Sequence, residues 1–175
     1  MKKKLPKKKK ATSAQNKLRS EGAEFLVLAN LLIRDVEATK AYSNFPGWDV
    51  LAVNSKTGKQ ARIQVKSRWA TDSGNFLVKN FECDFVVLVY LNRGFNFGKR
   101  GRKESGIKEP QFWIFPTYFL KSLIKQGQVS GKLGESVSFR KNKMKNQGDL
   151  FESNWTQISD FLSKKDKVEP QKVSN

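Results

Sequence analysis

The chain has 175 residues, and 34 Lys and Arg against 16 Asp and Glu give it a formal net charge of +18. It has no histidine and one cysteine, Cys83, which excludes Ser-His-Asp and Cys-His nucleophiles, histidine- or thiolate-ligated zinc sites and intrachain disulfides. A basic surplus of this size predicts a polyanionic partner.

Residues 1–19 are predicted to form a disordered basic arm, because the run MKKKLPKKKK cannot bury apolar surface. A folded domain is expected over residues 20–162, followed by a loose polar tail at 163–175. The arm either contacts nucleic-acid phosphates or acts as a solubilising tail. The lysines assigned to phosphate contact are Lys7, Lys8, Lys9 and Lys10.

The first predicted element is a helix that begins near Ser20, a good N-cap residue, and fades at residues 35–39. Its apolar residues follow helical spacing and extend over much of its surface, so the helix is expected to be largely buried. The apolar run at residues 25–33 is about half the length that spans a bilayer. A cytoplasmic protein without membrane contact is therefore expected.

The strands that follow predict an α/β domain with a mixed sheet flanked by helices. Residues 49–54 and 60–67 read as an antiparallel hairpin, and the apolar run FVVLVYL at 85–91 reads as a central strand buried on both faces. The remaining predictions are a weak strand at 74–80, a strand at 111–115 that Pro116 ends, helices at 117–126 and 155–162, and an ambiguous segment at 137–152. Trp48 and Trp69 are expected to pack in the core.

Strand alternation places Gln64 and Lys66 side by side on one face, about 7 Å apart along the strand. The hairpin brings Asp49 toward them. A carboxylate, an amide oxygen and an ammonium around one point suit metal-dependent phosphodiester hydrolysis, because Mg²⁺ needs oxygen ligands. The backbone carbonyl of Val65 and the helix residue Glu24 are further candidate ligands. The same pattern also occurs on the solvated face of an ordinary hairpin.

The order of these motifs resembles the PD-(D/E)XK nuclease superfamily. The residues that carry the resemblance are Gly22 and Glu24 on the first helix, Pro-Gly-Trp-Asp at 46–49 and Ile-Gln-Val-Lys-Ser at 63–67. More narrowly, the chain resembles small stand-alone members with a Gln-x-Lys variant, among Holliday-junction-resolvase-like and intron-associated bacterial proteins. The resemblance implies a restriction-endonuclease-like fold, a metal-binding Asp49, a motif lysine at Lys66 and a helix glutamate at Glu24. Gln64 stands where the family usually has Glu or Asp.

Two functions therefore remain open on this fold, and a third stands outside it. The first is a Mg²⁺-dependent DNA endonuclease that uses a metal-activated water, with Mn²⁺ as a substitute, on duplex or branched DNA. A homodimer is one expected assembly, because double-strand cleavage needs two sites. The second is a non-catalytic nucleic-acid-binding protein with a degraded site, and the third is a basic RNA-associated protein. Further predicted nucleic-acid contacts are Arg68, Lys99, Arg100, Arg102 and Lys103.

Overall fold

A computed structural model describes residues 11–41, 47–95, 106–140 and 150–164. The helices in this part of the chain are α1 (Ser13–Leu32), α2 (Thr117–Lys125) and α3 (Thr156–Ser163). The strands are β1 (Glu37–Lys40), β2 (Val50–Asn54), β3 (Lys59–Arg68), β4 (Asn75–Val78), β5 (Phe85–Tyr90), β6 (Gln111–Pro116) and β7 (Val137–Arg140). The predicted α/β class is thereby confirmed.

The main sheet has five strands in the order β1-β2-β3-β5-β6. Strands β3 and β5 are parallel, and the other neighbours are antiparallel. The β2–β3 hairpin is therefore present as predicted, and the sheet is mixed. Strands β4 and β7 pair antiparallel as a separate two-stranded ribbon.

A packed layer covers each face of the main sheet. Helices α1 and α3 cover one face, where Val27 and Ile158 meet Ile63 of β3. The β4–β7 ribbon and α2 cover the other face, where Phe76 and Leu120 lie. Strand β5 contributes side chains to both layers, and all its residues are buried. This confirms the predicted central strand.

Helix α1 begins at Ser13 rather than near Ser20, so the predicted starting point was wrong. Thr12 is the N-cap, and Thr12 and Gln15 form a capping box in which each side chain accepts from the other's backbone N–H. These bonds satisfy two of the free N–H groups at the helix start. Residues 13–19, which the sequence analysis assigned to the arm, are therefore helical.

Strand β1 overlaps residues 35–39, the segment in which the first helix was predicted to end. The helix ends earlier, at Leu32, and Asp35 adopts a left-handed conformation with φ 58° in the turn that follows. The short strand then pairs with β2 along its whole length. No helix in the described ranges is both long enough and apolar enough to cross a membrane.

Candidate functional site

The candidate site lies at the edge of β3, where its pairing with β2 stops. The β2–β3 ladder ends with Val50 opposite Ile63, whereas β3 continues to Arg68 along β5. Asp49 closes the ladder, because its backbone N–H donates to the carbonyl of Ile63 at 2.8 Å. The residue that precedes β2 thus places the Asp49 side chain at the edge of β3 that β2 leaves unpaired.

The Asp49 carboxylate is fixed by the backbone of β3. Its Oδ2 accepts a hydrogen bond from the N–H of Val65 at 2.7 Å. In an extended strand, the carbonyl of a residue points to the same side as its N–H. The Val65 carbonyl therefore faces the same edge, and two kinds of oxygen donor lie close together there.

Gln64 is 6% exposed, and the turn before β2 holds its side-chain amide. Its Nε2 donates to the carbonyl of Gly47 at 2.9 Å, which fixes the amide orientation because only the NH₂ group can donate. Its Oε1 is buried and accepts no hydrogen bond within the described residues. A buried oxygen without a donor is unfavourable, so this atom is suited to receive a cation or a water.

Gly47 makes this arrangement possible. Its φ is 98°, in the left-handed region, and a Cβ there would lie 2.8 Å from the side-chain nitrogen of Asn80. A larger residue at this position would displace the Asn80 side chain and strain the backbone at a positive φ. The glycine thus allows the turn to bring its own carbonyl to Gln64 and to lead directly into Asp49.

Lys66 lies two residues beyond Gln64 on the same face of β3 and is half-buried. Burial lowers the pKa of Lys66, while the negative charge of Asp49 opposes this shift. The negative charge of Glu24 likewise acts to raise the pKa of Lys66. The ammonium therefore lies in a partly desolvated position within electrostatic reach of both carboxylates.

Glu24 lies on α1. This helix packs on the face of the sheet opposite to the face that carries the Gln64 and Lys66 side chains. Burial and the nearby charge of Asp49 raise the pKa of Glu24, while a hydrogen bond from Lys40 opposes the shift. The Lys40 Nζ lies 3.1 Å from a Glu24 carboxylate oxygen. The structure thus brings Glu24, Asp49, Gln64 and Lys66 to one edge of the sheet.

Lys40 is a site residue that the sequence analysis missed. It is 7% exposed, and its ammonium forms salt bridges with both Glu21 and Glu24. Burial alone would lower the pKa of Lys40, but the two carboxylates outweigh it and raise the pKa. One sequence signal could have identified Lys40. Side chains alternate along a strand that begins at Glu37, so Lys40 lies on the same side as Ala38, and Ala38 packs against the α1 layer.

The donors available to a metal ion are mixed rather than purely acidic. Within the described ranges, no group of three His, Cys, Asp or Glu side chains could hold a metal. The carboxylates of Glu24 and Asp49 interact electrostatically, and Asp49 is bonded to Val65, whose carbonyl and the neighbouring Gln64 Oε1 are the neutral oxygens. A set of oxygen donors with one or two carboxylates fits Mg²⁺, which also keeps several waters.

The predicted nucleic-acid contacts fall into two groups. Arg68 is half-buried at the end of β3, and its guanidinium donates to the backbone carbonyls of Ser67 and Asn75. The remaining predicted contacts lie outside the described residues: Lys7, Lys8, Lys9, Lys10, Lys99, Arg100, Arg102 and Lys103.

An exposed cation–aromatic pair lies beside the end of β3. The Arg19 guanidinium of α1 is 3.8 Å from the ring centroid of Trp69, and Trp69 is 41% exposed. The prediction that Trp69 packs in the core was therefore wrong. Trp48 is half-buried against the α2 and ribbon layer, so the corresponding prediction for Trp48 is confirmed.

Two solved structures are similar to the chain at low sequence identity. One is the bacterial homing endonuclease I-Ssp6803I, with 16% identity over 81% of this chain and 91% of that chain, and a TM-score of 0.49. The other is Hjc, a Holliday junction resolvase from the archaeal hyperthermophile Archaeoglobus fulgidus. It has 14% identity over 75% of this chain and 88% of that chain, and a TM-score of 0.43. No protein-family model and no curated protein matches the chain.

Proposed function

We propose that the protein is a Mg²⁺-dependent DNA endonuclease with a restriction-endonuclease-like fold. The observation that carries this proposal is the buried Oε1 of Gln64, which has no hydrogen-bond donor in the described residues and belongs to the strand residue next to Val65, whose N–H fixes the carboxylate of Asp49. A strand face with no chemical role would leave its polar side chains in water. Here the Gln64 amide is buried, and its NH₂ group is held by the Gly47 carbonyl in the turn that leads into Asp49.

Each residue at this edge has a role that its environment supports. Asp49 is the anionic metal ligand, held by the Val65 N–H, and Glu24 is the second carboxylate. Gln64 Oε1 and the Val65 carbonyl are neutral oxygen ligands, which suit Mg²⁺. When bound, Mg²⁺ would supply an activated water and offset negative charge on the phosphate.

Lys66 supplies a positive charge to the reacting phosphodiester. Its ammonium is partly desolvated, and the charge of Asp49 favours its protonated form. A preorganised charge in a partly dry site stabilises a developing negative charge more strongly than it would in water. Lys66 is therefore placed to bind and orient a scissile phosphate.

DNA is the polyanion proposed as substrate, because the surplus of +18 suits phosphate contact without base recognition. The exposed Arg19–Trp69 pair adds a surface on which an unpaired base can stack. This surface follows directly from β3 and therefore continues the edge that carries Lys66.

A cleavage assay with Mg²⁺, Mn²⁺ or EDTA tests the proposal on supercoiled plasmid, linear duplex and a four-way junction. We expect Lys66→Ala to lower the rate by roughly 10²–10³-fold. DNA affinity should hardly change, because Lys66 is one of 34 basic residues. Lys132→Ala, at an exposed lysine, is the matched control and should cleave like the wild type. Cleavage that persists in EDTA, or that Lys66→Ala leaves intact, would contradict the proposal.

One observation favours a second candidate, a protein that binds nucleic acid without cutting it. Lys40 already neutralises Glu24, and Gln64 contributes no charge. The site therefore attracts a cation less strongly than a site made only of carboxylates. If the wild type cuts none of the substrates and Gln64→Glu creates no activity, this second function is the better one. Competition between DNA and RNA then identifies the preferred nucleic acid.

A further inference from the structure

The outward face of α1 is apolar and exposed. Leu18, Phe25, Leu32 and Ile33 are 73%, 46%, 49% and 75% exposed, respectively. The sequence predicted a largely buried helix, yet the fully buried residues of α1 are only those on its inner side: Ala23, Val27 and Leu31. At 100° per residue, the exposed residues lie on the opposite side of the helix from these three. The domain therefore covers one apolar side of α1 and leaves the other open.

The exposed residues repeat with the spacing of a helix–helix seam. The seam residues are separated by four, three, four and three positions, as in a heptad repeat: Leu18, Gly22, Phe25, Ala29 and Leu32. Large and small side chains alternate along this seam. A stripe with this alternation accepts a partner helix whose large residues meet its small ones.

The chain itself offers such a helix. If two copies of α1 lie antiparallel about a two-fold axis between residues 23 and 24, Phe25 faces Gly22 of the partner subunit. In the same register, Leu18 faces Ala29 of the partner subunit. Phe25 and Leu18 then each pack over a small residue, as knobs-into-holes packing favours, while Leu32 faces Gln15 of the partner subunit near the end of the contact. A two-fold axis makes the contact self-complementary, so it closes at two subunits.

Gly22 gives independent support, because no contact among the described residues of its own chain explains it. It lies inside α1, where glycine is less favourable than alanine, and a Cβ added there would meet no atom within 4 Å. The missing side chain does not make room for any described residue of the same chain. It does make room for a phenylalanine ring that arrives from outside.

We propose that the outward face of α1 binds a second copy of this chain, with the two helices antiparallel and Phe25 of each copy packed on Gly22 of the other. From Gly22 to Ile33 the face carries no charged residue, which disfavours nucleic acid as its occupant. The terminal segments 1–10 and 165–175 are mainly charged or polar and do not match it. The inference goes beyond the proposed function and does not depend on it.

The size of the face sets the strength of the contact. Its exposed side chains offer roughly 400 Å² of apolar surface per copy, about half of what a standard interface buries on each partner. The net charge of +18 adds repulsion between copies at low salt. We therefore expect a weak, reversible dimer that is favoured by high salt.

Sedimentation equilibrium of the full chain at high salt, over a range of concentrations, tests this proposal. We expect Ala29→Glu to weaken association at least tenfold. Tyr118→Glu, at a residue of α2 that is 77% exposed, is the matched control and should associate like the wild type. A wild type that stays monomeric at every concentration would overturn the proposal, and so would equal effects of the two variants.

Gly22→Leu separates association from folding. Because a Cβ at residue 22 meets no described atom within 4 Å and leucine favours a helix more than glycine does, the variant should melt at a higher temperature than the wild type while it associates more weakly. A variant that is stabilised and still dimerises fully would contradict the packing of Phe25 on Gly22. If Ala29→Glu lowers the melting temperature with no concentration dependence, a segment of the same chain covers the face and the proposal fails.

The direction of the two helices has its own test. In a Cys83→Ser background, copies with Leu18→Cys mixed with copies with Ala29→Cys should form a disulfide-linked dimer. Neither variant alone should cross-link efficiently. Strong cross-linking of Leu18→Cys alone would indicate parallel helices and overturn the proposed register. Cleavage assays play no part in these outcomes, so failure here is distinguishable from failure of the nuclease proposal.

Discussion

The carboxylate of Asp49 accepts the backbone N–H of Val65 at 2.7 Å, so a side chain extends the β2–β3 ladder beyond Val50, the first residue of β2. This bond gives Asp49 a structural role in addition to the chemical role proposed for it. Variants at residue 49 therefore have to separate the two. An amide can keep the hydrogen bond while removing the charge.

Asp49→Asn should abolish metal binding and leave the fold nearly intact. The asparagine carbonyl can still accept the Val65 N–H, so we expect a loss of at most about 1 kcal/mol in the free energy of unfolding. Titration calorimetry with Mn²⁺ measures the loss of binding, and chemical denaturation measures stability. Glu135→Gln, at an exposed carboxylate, should change neither. Wild-type Mn²⁺ affinity in Asp49→Asn would remove Asp49 from the metal site.

Gln64→Glu should bind Mn²⁺ about tenfold or more tightly than the wild type, because it adds a carboxylate to the donor set. The same change should destabilise the metal-free protein, since it buries a second negative charge near Asp49 and leaves the Gly47 carbonyl without its donor. Melting temperatures with and without Mn²⁺ check both effects. A variant that is equally stable in both conditions would show that residue 64 is not a ligand.

Lys40→Met should lower the stability of the metal-free protein by roughly 2 kcal/mol, because Glu24 would lose its buried cationic partner. The freed carboxylate should then bind a cation more readily. We therefore expect Mg²⁺ to raise the melting temperature of the variant more than that of the wild type. Lys132→Met serves as the control. A Mg²⁺ response no larger than that of the wild type would mean that Glu24 is not a ligand.

Tyr90 should make the protein sensitive to alkaline pH. Burial raises the pKa of Tyr90 from 10.0 to about 12, with the charge of Arg68 opposing the shift. Below pH 10 the phenol is neutral in both states, whereas above it the unfolded chain ionises first. Stability should therefore fall by about 2 kcal/mol between pH 10 and pH 12. Denaturation of Tyr90→Phe should show a smaller fall, and denaturation of Tyr118→Phe should match the wild type.

Deletion of residues 1–10 should weaken DNA binding and flatten its salt dependence. The segment holds seven lysines, and each lost phosphate contact removes about 0.9 from the slope of log affinity against log salt. The deletion stops before the capping residue Thr12, so α1 keeps its start. Filter binding at several salt concentrations measures the slope. An unchanged slope would assign the arm to solubility alone.

Much of the sheet could be predicted because its patterns are local. The apolar run of β5 and the alternation of β3 each indicate burial without reference to the rest of the chain. The convergence of Asp49, Gln64 and Lys66 followed from alternation and one short hairpin. Each of these features depends on residues that are close together in the sequence, so a local sequence pattern is enough to predict it.

The features that were missed depend on partners distant in sequence or on overlooked short signals. Lys40 is buried because Glu21 and Glu24 on another element neutralise it, and its own strand is too short to show a pattern. The capping box at Thr12 is a short signal that the neighbouring run of lysines obscured. Tryptophan is by residue type expected in the core, but Trp69 is exposed and packs against Arg19, which is distant in sequence.

The β4–β7 ribbon joins residues 75–78 to residues 137–140, so the layer over Gln64 and Lys66 is closed by the last strand of the described chain to be synthesised. Until β7 leaves the ribosome, Phe76 lacks its stacking contact with Phe139, and an apolar surface remains open. Contacts so far apart in sequence slow folding and prolong exposure to aggregation. Translation that stops before residue 137 should therefore give an insoluble chain, and the site should mature only at a late stage of synthesis.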